Sequence, residues 1–299
     1  MNRPLCGMTL LVLLGLLASV GTTEGQSSTT KVVLLGTGTP RPNPDRSGPA
    51  TAIVVGDRAY LVDFGPGVIR RAAAASQKIP ALDPKNITIA FVTHLHSDHT
   101  AGYPDLLLTP WVIGRHELNV YGPEGIEDMT RHVLEAWRED IDMRTKGMEQ
   151  RFALNVHAHD VLPGIVYKDD KVTVTAFQVA HGQWTHAFGY RFDTPDRSIV
   201  ISGDTSPSAE LMNQCKPCDV LIHEVFTRNA PSPAMADWAA YSAKYHTTTD
   251  QLAEIGNKTK PGLLILYHIS GRAPDEQLLE EIQKTYHGKI VIGKDLEIY

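Results

Sequence analysis

Residues 94–99, His94-Leu95-His96-Ser97-Asp98-His99, put four side chains able to bind a metal within six positions. They stand directly behind the apolar run Ile89-Ala90-Phe91-Val92-Thr93, which reads as a strand. In an extended segment, positions i and i+2 point the same way, so His94 and His96 can grip one ion. Where the chain then turns into a helix, Asp98 and His99 reach a second ion beside the first. Imidazole with carboxylate suits zinc and its borderline neighbours.

Three more candidates occupy equivalent places further along. His181 follows the apolar stretch 172–179, Asp204 follows 198–201 within Ser202-Gly203-Asp204-Thr205, and His268 follows 263–267. Each is a polar residue just past a strand, where sheet ends build sites. Together with the first cluster they make seven ligands, enough for two ions sharing a carboxylate.

The spacing of apolar runs sets the architecture. Strands are expected at 31–35, 51–55, 60–62, 87–92, 172–177, 187–192, 198–201, 220–222, 263–267 and 290–292. Gly56-Asp57 marks a hairpin between the second and third of these. Helices are expected through 72–75 and at 128–137, 208–213, 248–258 and 275–286. Strand pairs occur in both halves and helices alternate later, which predicts two packed sheets with helices outside in one α/β domain.

The chain's beginning reads differently. Arg3, the apolar run Leu10–Leu17 and the small and polar residues up to Gly25 match a secretory signal peptide. The run is shorter than the roughly 20 residues a membrane span needs. Residues 1–25 are therefore expected to be removed, leaving 26–299 as a soluble, secreted or periplasmic domain with no membrane partner. Cys6 leaves with the leader, and the remaining Cys215 and Cys218 are read as a local disulfide or two idle thiols. The balance of 28 Lys+Arg against 34 Asp+Glu, net −6, gives no general pull toward nucleic acid.

The runs THLHSDHTAG, VAH at 179–181, SGDT at 202–205 and LYH at 266–268 resemble the metallo-β-lactamase superfamily. The opening VVLLGTGTP, His223-Glu224-Val225-Phe226 and Tyr245-His246-Thr247-Thr248 resemble its ribonuclease Z-like and arylsulfatase-like branch. The resemblance covers the whole chain after the leader and implies a four-layer αββα sandwich. It implies His94, His96 and His181 on a first zinc, Asp98, His99 and His268 on a second, and Asp204 bridging them. It leaves manganese or iron open at the second site. A hydroxide held between the ions would be the nucleophile. His246 would protonate the leaving group, Glu224 would fix its tautomer, and Asp98 would also move protons.

One departure shapes the expected substrate. Ribonuclease Z carries a long arm for tRNA between the VAH histidine and the GDT aspartate, and here only residues 182–203 lie there. With net −6, this predicts an exported hydrolase of small phosphate or sulfate esters and makes nucleic acid an unexpected partner. The alternatives are a lactonase or other carbonyl hydrolase, or a ribonuclease Z-type endoribonuclease. Superfamily members often pair, so a homodimer is compatible with the chain, although no interface is legible.

Overall fold

The computed structural model describes Met1 and residues 29–147, 153–227, 242–270 and 273–299. The expected signal peptide lies outside the described residues, apart from Met1.

Two mixed sheets lie face to face. The first has the order β1 (Thr30–Gly36), β2 (Ala50–Val55), β3 (Arg58–Val62), β4 (Ile89–Phe91), β5 (Glu117–Gly122) and β6 (Asn155–Asp160). The second runs from β7 (Gly164–Lys168) through β8 (Thr173–Gln178), β9 (Phe188–Asp193), β10 (Ser198–Ile201), β11 (Val220–Phe226) and β12 (Leu263–Ser270) to β13 (Ile290–Ile292). In each sheet the earlier strands pair antiparallel and the later ones parallel.

The strands explain the layers. Side chains alternate across a sheet, so a strand buried on both faces is apolar throughout. In β1, Val32 and Leu34 enter the core between the sheets, while Val33 and Leu35 meet the helices α1 (Val68–Ser76) and α3 (Tyr103–Val112), which flank the single turn α2 (Ser97–Thr100) in sequence. In β12, Ile265 and Tyr267 face the other sheet. Leu264 and Leu266 of that strand face α6 (Ala209–Gln214), α7 (Thr249–Thr259) and α8 (Asp275–Gln283). Each buried Leu, Ile or Val contributes about 1.5–3 kcal/mol. The result is the expected αββα sandwich. Among the described residues, no helix is long and apolar enough to cross a membrane.

Differences from expectation have local causes. The helix α3 contains Pro104 and Pro110, which mask its pattern. The helix α5 (Arg138–Lys146), which follows α4 (Ile126–Ala136), buries no residue, so it has no apolar stripe to read. The strand β6 is a polar edge strand with none of its residues buried. Cys215 and Cys218 are both buried and joined as a disulfide between α6 and β11.

A carboxylate in the turn between β7 and β8 braces the corner where β3 meets β7. Asp169 accepts from the Tyr60 hydroxyl at 2.7 Å, the Tyr167 hydroxyl at 3.0 Å, Arg58 at 2.5 Å, and the Lys171 and Val172 amides. Burial alone would raise its pKa, but these donors hold it down to about 2 from 3.8. A carboxyl with a depressed folded pKa stabilises above its unfolded value and loses that contribution as pH falls through the folded one. The shift corresponds to about 2 kcal/mol. Asp169→Asn is expected to lower the Tm by several degrees at pH 7. The difference from wild type should shrink between about pH 4 and 2, as read by thermal melts across that range.

Candidate metal centre

The carboxyl ends of strands from both sheets meet at one edge. The Phe188 amide donates to the Thr93 carbonyl at 2.8 Å and the Tyr190 hydroxyl to the Val92 carbonyl at 2.9 Å, which ties the two sheets together there. Here the seven expected ligands converge, from as far apart in sequence as His94 and His268.

They fall into two groups. His94 Nε2 and His96 Nδ1 stand 2.9 Å apart, and His181 Nε2 lies 3.3 Å from the same His96 nitrogen. His99 Nε2 is 3.6 Å and His268 Nε2 3.1 Å from Asp98 Oδ2. Asp204 stands between the groups. Its Oδ2 is 4.0 Å from both His94 Nε2 and His181 Nε2, and its Oδ1 is 3.4 Å from both His99 Nε2 and His268 Nδ1. Each group offers donor atoms within 4.8 Å of one another.

The donor set fits cations. His99 Nε2, Asp204 Oδ1 and His268 Nδ1 are buried without a hydrogen-bond partner, and orphaned buried polar atoms are costly unless something fills the space between them. Burial pushes the His94 imidazole well below its ordinary pKa, and lowers His96 and His181 as well. Held neutral, these three rings present the lone pairs that metal binding needs, whereas at His99 burial is outweighed by the Asp63 and Asp204 carboxylates, which hold its proton until a cation displaces it. For Asp204, burial works upward, but the charges of His268 and His99 outweigh it and keep the carboxylate ionised.

Backbone geometry aims these groups. Where β12 pairs with β11, Glu224 lies opposite Tyr267 and Val225 opposite Ile269, leaving His268 unpaired in a bulge of β12 with φ 43°. A bulge re-aims a side chain, and here it turns His268 into the site. Gly203 has φ 60°, and a Cβ there would stand 2.7 Å from the Phe188 carbonyl, so the turn presenting Asp204 requires glycine.

Second partners orient the ring ligands. The His181 Nδ1 hydrogen bonds to the Tyr245 carbonyl at 2.8 Å, leaving Nε2 for the site. His99 Nδ1 lies 2.8 Å from Asp63 Oδ2, and Asp63 also accepts from the Thr93 amide at 2.8 Å. Asp63 was not among the expected residues. It stands just past β3 at φ 62°, so the rule that found the other ligands also applies to it. Asp63→Ala is expected to weaken metal binding about 10- to 100-fold, measured by titration against a chromophoric chelator.

His246 and Glu224 also reach the centre. His246 Nδ1 lies 3.1 Å from Glu224 Oε1 and 3.9 Å from Asp204 Oδ2. Glu224 Oε1 further accepts from the Thr205 and Thr247 amides at 3.0 and 3.3 Å. Thr248 begins α7 with a capping box to Gln251, which fixes the chain two residues beyond His246. Trp184 Nε1 donates to His96 Nε2 at 2.6 Å and closes the outer side of the first group. Arg115 is buried away from the site, donating to the Leu106 and Leu107 carbonyls.

This fold and this paired donor set define a metal-dependent hydrolase. The beta-lactamase superfamily domain matches residues 58–269. The ribonuclease Z of Mycobacterium bovis (strain BCG / Pasteur 1173P2) is 30% identical over 274 residues, covering 89% of this chain and 96% of the relative. That of Mycobacterium sp. (strain KMS) is 33% identical over 242 residues, covering 80% and 83%. Among solved structures, human tRNase Z, short form, superposes with TM-score 0.67 at 24% identity, covering 90% of this chain and 98% of that one. The metallo-beta-lactamase fold protein YhfI from Bacillus subtilis gives 0.68 at 18%, covering 91% and 100%. The chain belongs to the beta-lactamase superfamily, in its ribonuclease Z-like branch.

Two expectations are thereby corrected. The relatives carry a nuclease name, which overturns both the reading as a hydrolase of small phosphate or sulfate esters and the expectation that nucleic acid is not a partner. The short His181–Asp204 segment does form only β9, a turn and β10, as expected. It is nevertheless a poor discriminator. The match to the M. bovis protein leaves little of that relative unaligned, so the nuclease name goes with a chain of much the same extent.

Proposed function

We propose that this chain is a two-zinc ribonuclease of the ribonuclease Z type that hydrolyses a phosphodiester bond of RNA. The observation that carries the reading is the Glu224–His246 pair beside Asp204, which places a proton donor next to the double donor set. An RNA diester needs such a donor, because the sugar oxygen that leaves is a poor leaving group unprotonated. Net charge is no obstacle, since phosphate recognition is local and is dominated by the groups nearest the strand.

His94, His96 and His181 would hold one ion, Asp98, His99 and His268 the other, and Asp204 both. When bound, the ions activate water and neutralise charge on the transferring phosphoryl group. The protein's own part is positioning and proton movement. Tyr245, Asp63 and Thr93 hold the ligand rings in one tautomer. Glu224 keeps a proton on His246, and His246 delivers it to the departing oxygen.

The test is hydrolysis of a transfer RNA precursor by the full purified chain. Cleavage at one position, lost with chelator and restored by zinc, supports the reading. An inert RNA alongside rapid turnover of an aryl sulfate or a lactone contradicts it.

We also propose that residues 1–25 are a removable leader and that the chain matures in an oxidising compartment. The paired Cys215 and Cys218 support this, because disulfides persist in such compartments. Sequencing the mature N-terminus decides it, and a chain starting at Met1 with both thiols open to alkylation would contradict it.

A further inference from the structure

The chain between β1 and β2 makes a loop whose two ends are pressed together. The Gly38 amide donates to the Ser47 carbonyl at 2.7 Å, and a Cβ on Gly38 would lie 2.6 Å from that same oxygen. One carboxylate from the far end of the sequence spans both ends. Asp295 Oδ1 accepts from the Thr37 amide at 2.9 Å and its hydroxyl at 2.8 Å, while Oδ2 accepts from the Ser47 amide at 2.7 Å. The Asp295 side chain is only 5% exposed and also faces Arg71 Nε at 3.4 Å. Arg71 Nε in turn donates to the Ser47 hydroxyl at 2.9 Å.

What this clamp holds is a wall of the candidate site. Residues 39–44, with Pro40, Pro42 and Pro44, line a cavity of about 700 Å³ whose other side includes Ser97 and the ligand Asp98. Proline fixes φ, so this segment is stiff and any change at its ends moves it as a unit. Arg41 stands exposed in that wall and would offer a cation to an anionic strand laid in the cavity.

We propose that Asp295 is a positioning residue: by clamping both ends of the 37–47 loop it sets the width of the cleft beside Asp98 and so governs binding of an extended RNA strand. The substrate class rests on the ribonuclease reading; the clamp does not. Asp295 touches neither the metal ligands nor the Glu224–His246 pair, so its loss acts on substrate binding and leaves the chemistry at the centre in place.

The experiment compares full-length wild type with Asp295→Asn. Asparagine keeps the size but sets an N–H donor against one loop end that is itself a donor. Three quantities are read: the trypsin cut at Arg46–Ser47, kinetics on the RNA and on bis(p-nitrophenyl) phosphate, and bound zinc. The small diester has no strand to lie against the wall. The expected result is a cut about tenfold faster and an RNA KM raised about 10-fold or more. The kcat, the small-diester KM and the zinc content should stay within about twofold. Thr37→Val, which removes one of the three donors, gives the same split at smaller size if Asp295→Asn does not fold. An unchanged trypsin rate, an unchanged RNA KM, or a parallel loss on both substrates overturns the proposal. Wild type that leaves RNA intact sinks the ribonuclease reading alone, and the trypsin rate then decides the clamp by itself.

Discussion

Asp204→Ala is expected to cut RNA hydrolysis by about 10³-fold or more and to lower the bound metal from two ions per chain to one or fewer. The size follows from position. Of the two carboxylates among the candidate ligands, Asp204 is the one whose oxygens face different groups, Oδ2 toward His94 and His181 and Oδ1 toward His99 and His268. Its removal leaves imidazoles gathered in a buried space with less negative charge to balance a pair of cations. A 10³-fold loss equals about 4 kcal/mol of transition-state stabilisation, within the range for removing a group that organises charge at the reacting centre. Metal analysis and kinetics on one preparation check both parts. A variant that keeps two ions and most of its activity would show that Asp204 bridges nothing.

His246→Ala should lower kcat on RNA about 10²- to 10⁴-fold, the usual range for removing a general acid. It should cost far less with bis(p-nitrophenyl) phosphate, whose leaving group departs without a proton. Equal losses on both substrates would place His246 in the metal centre rather than in proton transfer. The charge state of His246 is separately open to measurement. Burial alone would lower its pKa, but the Glu224 carboxylate and its hydrogen bond, with Asp204 behind it, outweigh burial and hold it up to about 9 from 6.5. Glu224→Gln removes the largest upward influence. In the metal-free protein, NMR titration should find His246 still protonated at pH 8 in wild type, and deprotonating at clearly lower pH in the variant. Coincident titrations would detach Glu224 from that role.

Much of the site was legible because its physics is local and repeated. Most of the seven candidate ligands stand at or just beyond the carboxyl end of an apolar strand, with His268 in a bulge within β12, and a fold that buries strands on both faces exposes polar side chains chiefly near their ends. Asp63 obeys the same rule but stands alone in Val62-Asp63-Phe64, without a second ligand beside it to signal a site. The β6 edge and the helix α5 were illegible for the opposite reason: they bury almost nothing, so no apolar period marks them. Asp295 and Thr37 lie far apart in sequence, and nothing local signals their contact. The error over nucleic acid came from treating the short 182–203 segment as decisive and from reading a whole-chain charge of −6 as if it were a property of the cleft.

Zinc-loaded crystals measured at the zinc absorption edge decide whether residues from both sheets surround two ions. Two anomalous peaks about 3.5–4 Å apart are expected. One should touch His94, His96 and His181, the other Asp98, His99 and His268, with Asp204 between them. A single peak, or a pair bound away from these side chains, would contradict that arrangement.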